Sequence, residues 1–238
     1  APVAVATERL TATVLQGKRL FYDARDPRLA RDGYISCASC HNDGGHDGRV
    51  WDMTGLGEGL RNTISLRGRG AGHGRSHWSG NFDEVQDFEG QIRSLAGGMG
   101  LMSDVSFNAG TRSQPLGDLK TGASGDLDAL AAYVGSLDSF DPSPHRDAAG
   151  ALTATGSAGR AVFIAKGCTG CHGGTAFTNS ALMPLQNIGT LKPSSGQRLG
   201  GALTGIDPPT LRDVWQTGPY LHDGSAATLD AAVLAHNG

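Results

Sequence analysis

Two five-residue stretches constrain this chain more than anything else in it: Cys37-Ala38-Ser39-Cys40-His41 and Cys168-Thr169-Gly170-Cys171-His172. Both read C-x-x-C-H, the attachment pattern of a c-type haem. Two thiols add across the porphyrin vinyl groups, and the adjacent His is held beneath the iron as its proximal ligand. Together the motifs use all four cysteines. A redox dithiol, a structural disulfide or half of a zinc site also fits a C-x-x-C pair. None of these needs a His directly after the second Cys, twice. The sequence therefore predicts two covalently bound haem c groups, on Cys37, Cys40 and His41 and on Cys168, Cys171 and His172.

Length and composition bound the rest. The 238 residues suit one large domain or two, since domains commonly run to about 100 residues or a little more. Two haem motifs favour two. Only 38% of the residues are hydrophobic and 37 are Gly, a thin core for the length. Two buried porphyrins would supply much of the missing apolar volume, and Gly lets backbone pass close to flat rings. A net charge of −3 creates no field for nucleic acid or an anionic membrane. No apolar run approaches a membrane span. Haem is attached covalently outside the cytoplasm, so the expected location is periplasmic or otherwise exported. The start, Ala1-Pro2-Val3-Ala4, has no charged or apolar leader region and reads as a mature end.

Along the chain, residues 7–21 read as a helix capped by Thr7, with Leu10, Val14, Gly17 and Phe21 on one face. Gly17 invites close approach by a second helix, expected over residues 125–137, where Leu127, Leu130, Ala131, Val134 and Leu137 form a stripe beside Tyr133. A helix before C-x-x-C-H and another closing the domain resemble the minimal cytochrome c plan, and that resemblance implies that the two helices cross. Asp141-Pro142-Ser143-Pro144 reads as a linker. The expected fold is mainly α, with two cytochrome c-like domains at 1–141 and 142–238. A shorter helix is expected over residues 158–166. There Gly159-Arg160-Ala161-Val162-Phe163 echoes Gly17-Lys18-Arg19-Leu20-Phe21 as a weak internal repeat. Thr228 can cap a last helix, residues 229–236. No counterpart of the helix over residues 125–137 follows the second motif.

Pro209-Thr210-Leu211-Arg212-Asp213-Val214, Thr217-Gly218-Pro219-Tyr220-Leu221-His222-Asp223-Gly224 and Ala227-Thr228-Leu229 closely resemble the segment after the second haem in bacterial di-haem cytochrome c peroxidases, the family that includes MauG. Arg61-Asn62-Thr63 and His77-Trp78-Ser79-Gly80 resemble the segment after the first. The resemblance implies a sixth ligand for the second haem fourteen residues beyond His222, at His236. The family has Met or Tyr there, so this chain departs toward a bis-His haem, and His lowers the reduction potential relative to Met. The resemblance also makes Trp78 an electron bridge between the haems, although any Trp packs well in a core. It further implies a calcium ion on the Asn62 side chain and the Thr217 and Pro219 carbonyls, oxygen ligands that suit the ion.

Two departures concern the first haem. Many relatives place a removable His ahead of the Arg-Asn pair, but residues 51–59 contain none, and Met53 is the only good iron ligand there. His46, His73 and His77 lie nearby as further alternatives to an open or water-bound iron. The family also has a Glu well past the bridging Trp for moving peroxide protons, whereas residues 97–102 hold no carboxylate. Glu89, then Asp87 and His77, are the substitutes. Against this, Asp83, Glu84, Asp87 and Glu89 also read as a solvated helical face. The implied activity is reduction of hydrogen peroxide at haem 1, with electrons from a small cytochrome c or cupredoxin relayed through haem 2. The alternatives are MauG-like oxidation of a partner protein and pure electron transfer.

Overall fold

The computed structural model describes residues 7–68, 70, 73–182 and 184–237. The expected mature end, residues 1–4, lies outside them. Helix α1 spans Ala12–Tyr22, and its cap is Thr11, whose side chain accepts from Val14 N. The expected cap at Thr7 fails for a local reason. The Glu8 carboxylate takes the N–H groups of Arg9 and Leu10, and such a local bond competes with helix. Short α2 (Cys37–Cys40) carries the first motif. An antiparallel hairpin follows, β1 (Val50–Asp52) and β2 (Leu60–Asn62), with Trp51 opposite Arg61. Then come α3 (Glu89–Ser94), α4 (Asp104–Phe107) and α5 (Gly125–Gly135).

The α1–α5 crossing forms as expected. Gly17 is buried in α1, and a Cβ added there would lie 1.8 Å from Ala129 O of α5. Only Gly lets the two backbones come this close. Phe21 packs edge-on to Tyr133, ring centres 5.1 Å apart. These residues join Leu20, Ile92, Leu127, Leu130 and Val134 in one apolar cluster, against which Cys37 and Ala38 pack. The first motif is thus seated on the main core.

The second motif follows α6 (Ala154–Ala165), which starts four residues earlier than expected because Thr153 is its cap. The motif itself is a single 3₁₀ turn, Cys168–Gly170. A second small hairpin, β3 (Gln197–Arg198) and β4 (Gly201–Ala202), precedes α7 (Leu229–Leu234). Thr228 caps α7 as expected, accepting from Ala231 N. Loops of the C-terminal part grip the first hairpin and the segment that carries Trp78. Asn62 N donates to His222 O at 2.7 Å, Gln197 N to Gly57 O at 2.7 Å and Asp207 N to Trp78 O at 2.8 Å.

Candidate functional site

Both motifs build the same local device. His41 N and His172 N each donate to the carbonyl of the first Cys of their motif at 2.9 Å. Each ring then turns Nδ1 to a backbone carbonyl, Gly45 O for His41 and Phe177 O for His172, both at 3.3 Å. A carbonyl acceptor on Nδ1 selects the tautomer in which Nε2 is the basic, metal-binding nitrogen. The four cysteines form no disulfide with one another. Burial pushes the Cys37 thiol up to about 11 and raises Cys40 as well. Among the described residues no three His, Cys, Asp or Glu side chains converge as a metal cage.

The residues around the second motif fit a haem. His236 comes to His172, with ring centres 6.5 Å apart and planes at 57°. Metal–imidazole bonds of about 2 Å put two opposed ring centres roughly 6 Å apart. His236 Nδ1 lies 2.7 Å from Ala232 O, which aims Nε2 away from its own helix. Burial, with His236 opposing protonation as well, lowers the pKa of His172. A cavity of about 1330 Å³ opens beside His172, walled by Phe163, Phe177, Leu211 and Trp215. That exceeds the roughly 300–1,000 Å³ of ordinary small-molecule pockets.

Around the first motif two of the competing ligands are occupied. His46 Nε2 lies 3.0 Å from Gln216 O while its Nδ1 accepts from Gly48 N. His73 is buried, with Nδ1 on Arg75 O and Nε2 accepting from Thr210 N. His77 Nδ1 lies 2.7 Å from Asn81 Oδ1, and its ring packs on Phe82 at 4.2 Å. Met53 sits half-buried at the turn of the hairpin, its N–H on Gly59 O.

The hairpin joins the first motif to Trp78. Leu66 N donates to Gly44 O and Thr63 N to Arg49 O, so its base is laced to the loop that carries His41. At the same end Asn62 O accepts from the Trp78 indole N–H at 2.8 Å. The Asn62 side chain faces Pro219 O, and its Oδ1 is buried without a hydrogen-bond partner. An orphaned buried oxygen beside a carbonyl is what a hard cation would satisfy. His222 anchors the neighbouring turn through Ser195 Oγ at 2.7 Å, both groups fully buried.

The acidic face expected over residues 83–89 does not exist as such. Only Asp83 is exposed. Glu84 accepts from Thr121 N and its hydroxyl. Asp87 pairs with Lys120 Nζ at 2.6 Å. Glu89 is completely buried, accepting from Leu101 N, Met102 N and Arg93 Nε at 2.8–3.1 Å. Its carboxylate therefore reaches residues 101–102, in a stretch that holds no carboxylate of its own. A fifth carboxylate does not stand out in the sequence pattern. Glu58, in the turn after Met53, is 8% exposed. It accepts from Asn81 Nδ2 at 2.6 Å and Arg61 Nε at 3.1 Å, with the Ser79 hydroxyl 3.0 Å from each of its oxygens. The visible clue was an acid three residues before an Arg, set among Gly55, Gly57 and Gly59.

A mainly helical chain with two such motifs, a His paired with that of the second and a hairpin bonded to Trp78 fits the di-haem c-type class of proteins. Residues 11–107 match the family model of the di-haem cytochrome c peroxidases, and the chain belongs to that family. It is 32% identical to the cytochrome c peroxidase Ccp of Escherichia coli, over 87% of this chain and 50% of that one. It is 29% identical to the methylamine utilization protein MauG of Methylorubrum extorquens, over 94% of this chain and 67% of that one. It is 28% identical to the hydrazine synthase subunit gamma of Kuenenia stuttgartiensis, over 87% of this chain and 66% of that one. The chain thus spans half to about two thirds of the length of these relatives. Among solved structures, hydrazine synthase of the same organism superposes with a TM-score of 0.57 at 25% identity, covering 94% of this chain and 78% of that chain. A MauG-like protein associated with microbial copper homeostasis shares the fold with a TM-score of 0.62 at 23% identity, covering 97% and 76%.

Proposed function

We propose that the protein is a periplasmic oxidoreductase that reduces hydrogen peroxide, with two domains at 1–141 and 142–238 that each hold one haem c. Cys37, Cys40 and His41 would hold haem 1; Cys168, Cys171, His172 and His236 would hold haem 2. When bound, the two groups supply a peroxide-reactive iron and a second one-electron store. The observation that carries the reading is an asymmetry. His172 has a second imidazole opposite it at 6.5 Å, while His46 and His73 have both ring nitrogens engaged elsewhere. On this reading protein closes the second iron site, and the first is the one offered to substrate.

Trp78 is suited to relay electrons because it is buried and its orientation is locked by the Asn62 carbonyl. Asn62, Thr217 and Pro219 would hold calcium at the same junction, since the unpaired Asn62 Oδ1 needs a partner there. Such an ion would stiffen the contact between β2 and the His222 turn. A small cytochrome c or cupredoxin is the expected donor. Oxidation of a partner protein is the second reading, supported by a non-Met sixth ligand at haem 2 and by the MauG relatives.

Electron paramagnetic resonance of the oxidised protein, repeated after one electron per molecule, tests the reading. One high-spin and one low-spin ferric signal are expected. Two low-spin signals, with no high-spin signal after half-reduction, would sink catalysis in favour of pure electron transfer.

A further inference from the structure

An indole has a single polar atom, and in Trp78 it donates to Asn62 O at 2.8 Å. The direction of the ring therefore also depends on the backbone that carries it. That backbone is a tight turn, with Gly80 N donating to His77 O at 3.1 Å. His77 has a φ of 66° and Gly80 one of 56°. A residue other than Gly holds such a conformation where its surroundings impose it. The C-terminal part of the chain holds the carbonyls of the turn. Asp207 N donates to Trp78 O at 2.8 Å, Arg198 Nε to Ser79 O at 2.7 Å and Arg198 Nη2 to Gly80 O at 3.1 Å.

The side chains of the turn are held from the hairpin, by one carboxylate. The Ser79 hydroxyl stands 3.0 Å from both oxygens of Glu58, and Asn81 Nδ2 donates to its Oε1 at 2.6 Å. A carboxylate accepts and does not donate, so this bond turns Asn81 Oδ1 toward His77 Nδ1, 2.7 Å away. Glu58 thus grips the residue after Trp78 directly and the residue before it through Asn81. Its Oε2 also accepts from Arg61 Nε at 3.1 Å, and Arg61 precedes the Asn62 that holds the indole. Glu58, Arg61, Ser79 and Asn81 are all buried. One buried carboxylate therefore links both neighbours of Trp78 to the strand that receives its N–H.

We propose that Glu58 is the positioning residue of Trp78: ionised against Arg61, it sets the direction of the indole and with it the rate of electron transfer between the haems. The proposal rests on Trp78 being the relay. Glu58 exchanges neither a proton nor an electron in this role.

The test uses the haem-loaded protein. One electron is delivered by pulse radiolysis, and its passage from haem 2 to haem 1 is followed by absorbance. Both Glu58 oxygens face N–H donors, so in E58Q the amide NH2 must oppose one of them. E58Q should slow the transfer by about tenfold, less than the roughly hundredfold that a misplacement of about 1 Å can cost. W78F should slow it as well, and E58Q added to W78F should slow it no further. A general disturbance or an altered driving force would slow both backgrounds alike. That result overturns the proposal, as does an unchanged rate in E58Q. If E58Q fails to load haem, E58D replaces it. It keeps the charge that faces Arg61 but draws the carboxylate back by one methylene. The transfer should then slow several-fold, again with no further slowing in W78F, and an unslowed E58D overturns the proposal equally. If W78F alone transfers as fast as the unmodified protein, Trp78 is not the relay, and the role of Glu58 falls with it.

Discussion

Helices α1 and α6 occupy the same place in sequence, each just ahead of a C-x-x-C-H motif, yet they live in different surroundings. In α1, Gly17, Leu20 and Phe21 are buried beneath α5. In α6 no residue is buried, and the positions matching Gly17 and Leu20 stand open: Gly159 has nothing within 4 Å, and Val162 is 59% exposed. Nevertheless the two motif turns share their hydrogen bonds, including the His N–H on the first Cys carbonyl at 2.9 Å. The haem-binding turn is therefore a local object, set by five residues and one carbonyl downstream. What differs between the two halves is the cover on the helix and the second imidazole that reaches His172, both of which come from distant chain.

The largest expected effect breaks the comparison at the ligands. His236→Ala should convert one of the two haems from low-spin to high-spin and leave the other as it was, read by absorption and paramagnetic resonance. An unaltered spectrum would mean that His236 is not on the iron. The next effect separates the helices themselves. Gly17→Ala drives a methyl into Ala129 O, so the helices must part, at a cost of about 3 kcal/mol for an overpacked crossing. Gly159→Ala meets nothing and replaces a poor helix former with the best, for a gain of about 1 kcal/mol or slightly less. Opposite signs in urea unfolding would confirm that only α1 is backbone-packed. A loss at Gly159 comparable to that at Gly17 would mean that α6 is covered in the folded protein.

What was legible in the sequence follows the same division between local and distant. The motifs are contiguous, and the α1–α5 crossing shows as one glycine facing one apolar stripe. The Thr228 cap is fixed by a partner three residues away, and all of these could be read. Thr7 reads as a cap because its residue type suits the position, and nothing in the pattern reveals that Glu8 captures the N–H groups of Arg9 and Leu10. The acidic run at residues 83–89 misled for a deeper reason. Glu89 finds its partners twelve and thirteen residues on and Glu84 thirty-seven on, so an apparent charged face is a set of buried caps. Glu58 escaped in the same way, since Ser79 and Asn81 lie more than twenty residues further along.

The smallest effect concerns how each half holds its charges. The first half buries an ion pair outright, Lys120 with Asp87 at 2% and 1% side-chain exposure. The corresponding pair in the second half is lopsided: Lys192 is 49% exposed, and its partner Asp223, 2.7 Å away, only 4%. Burial alone would raise Asp223, but the Lys192 ammonium and the Ser225 hydroxyl and N–H outweigh it and hold the carboxyl at about 2. Its folded value lies below the unfolded value of about 3.9. The stabilisation is therefore present in full above that value and is lost as pH falls through about 2. Lys192→Ala removes the largest of the lowering contacts, so the loss should move up toward pH 3–4. At pH 7 the cost should be only about 1 kcal/mol, because the exposed ammonium is well screened. Acid unfolding followed by circular dichroism would show the midpoint at higher pH, with urea stability at pH 7 little changed. A midpoint that does not move would mean that Ser225 alone keeps Asp223 ionised, and that the second half relies on backbone contacts where the first relies on a buried charge.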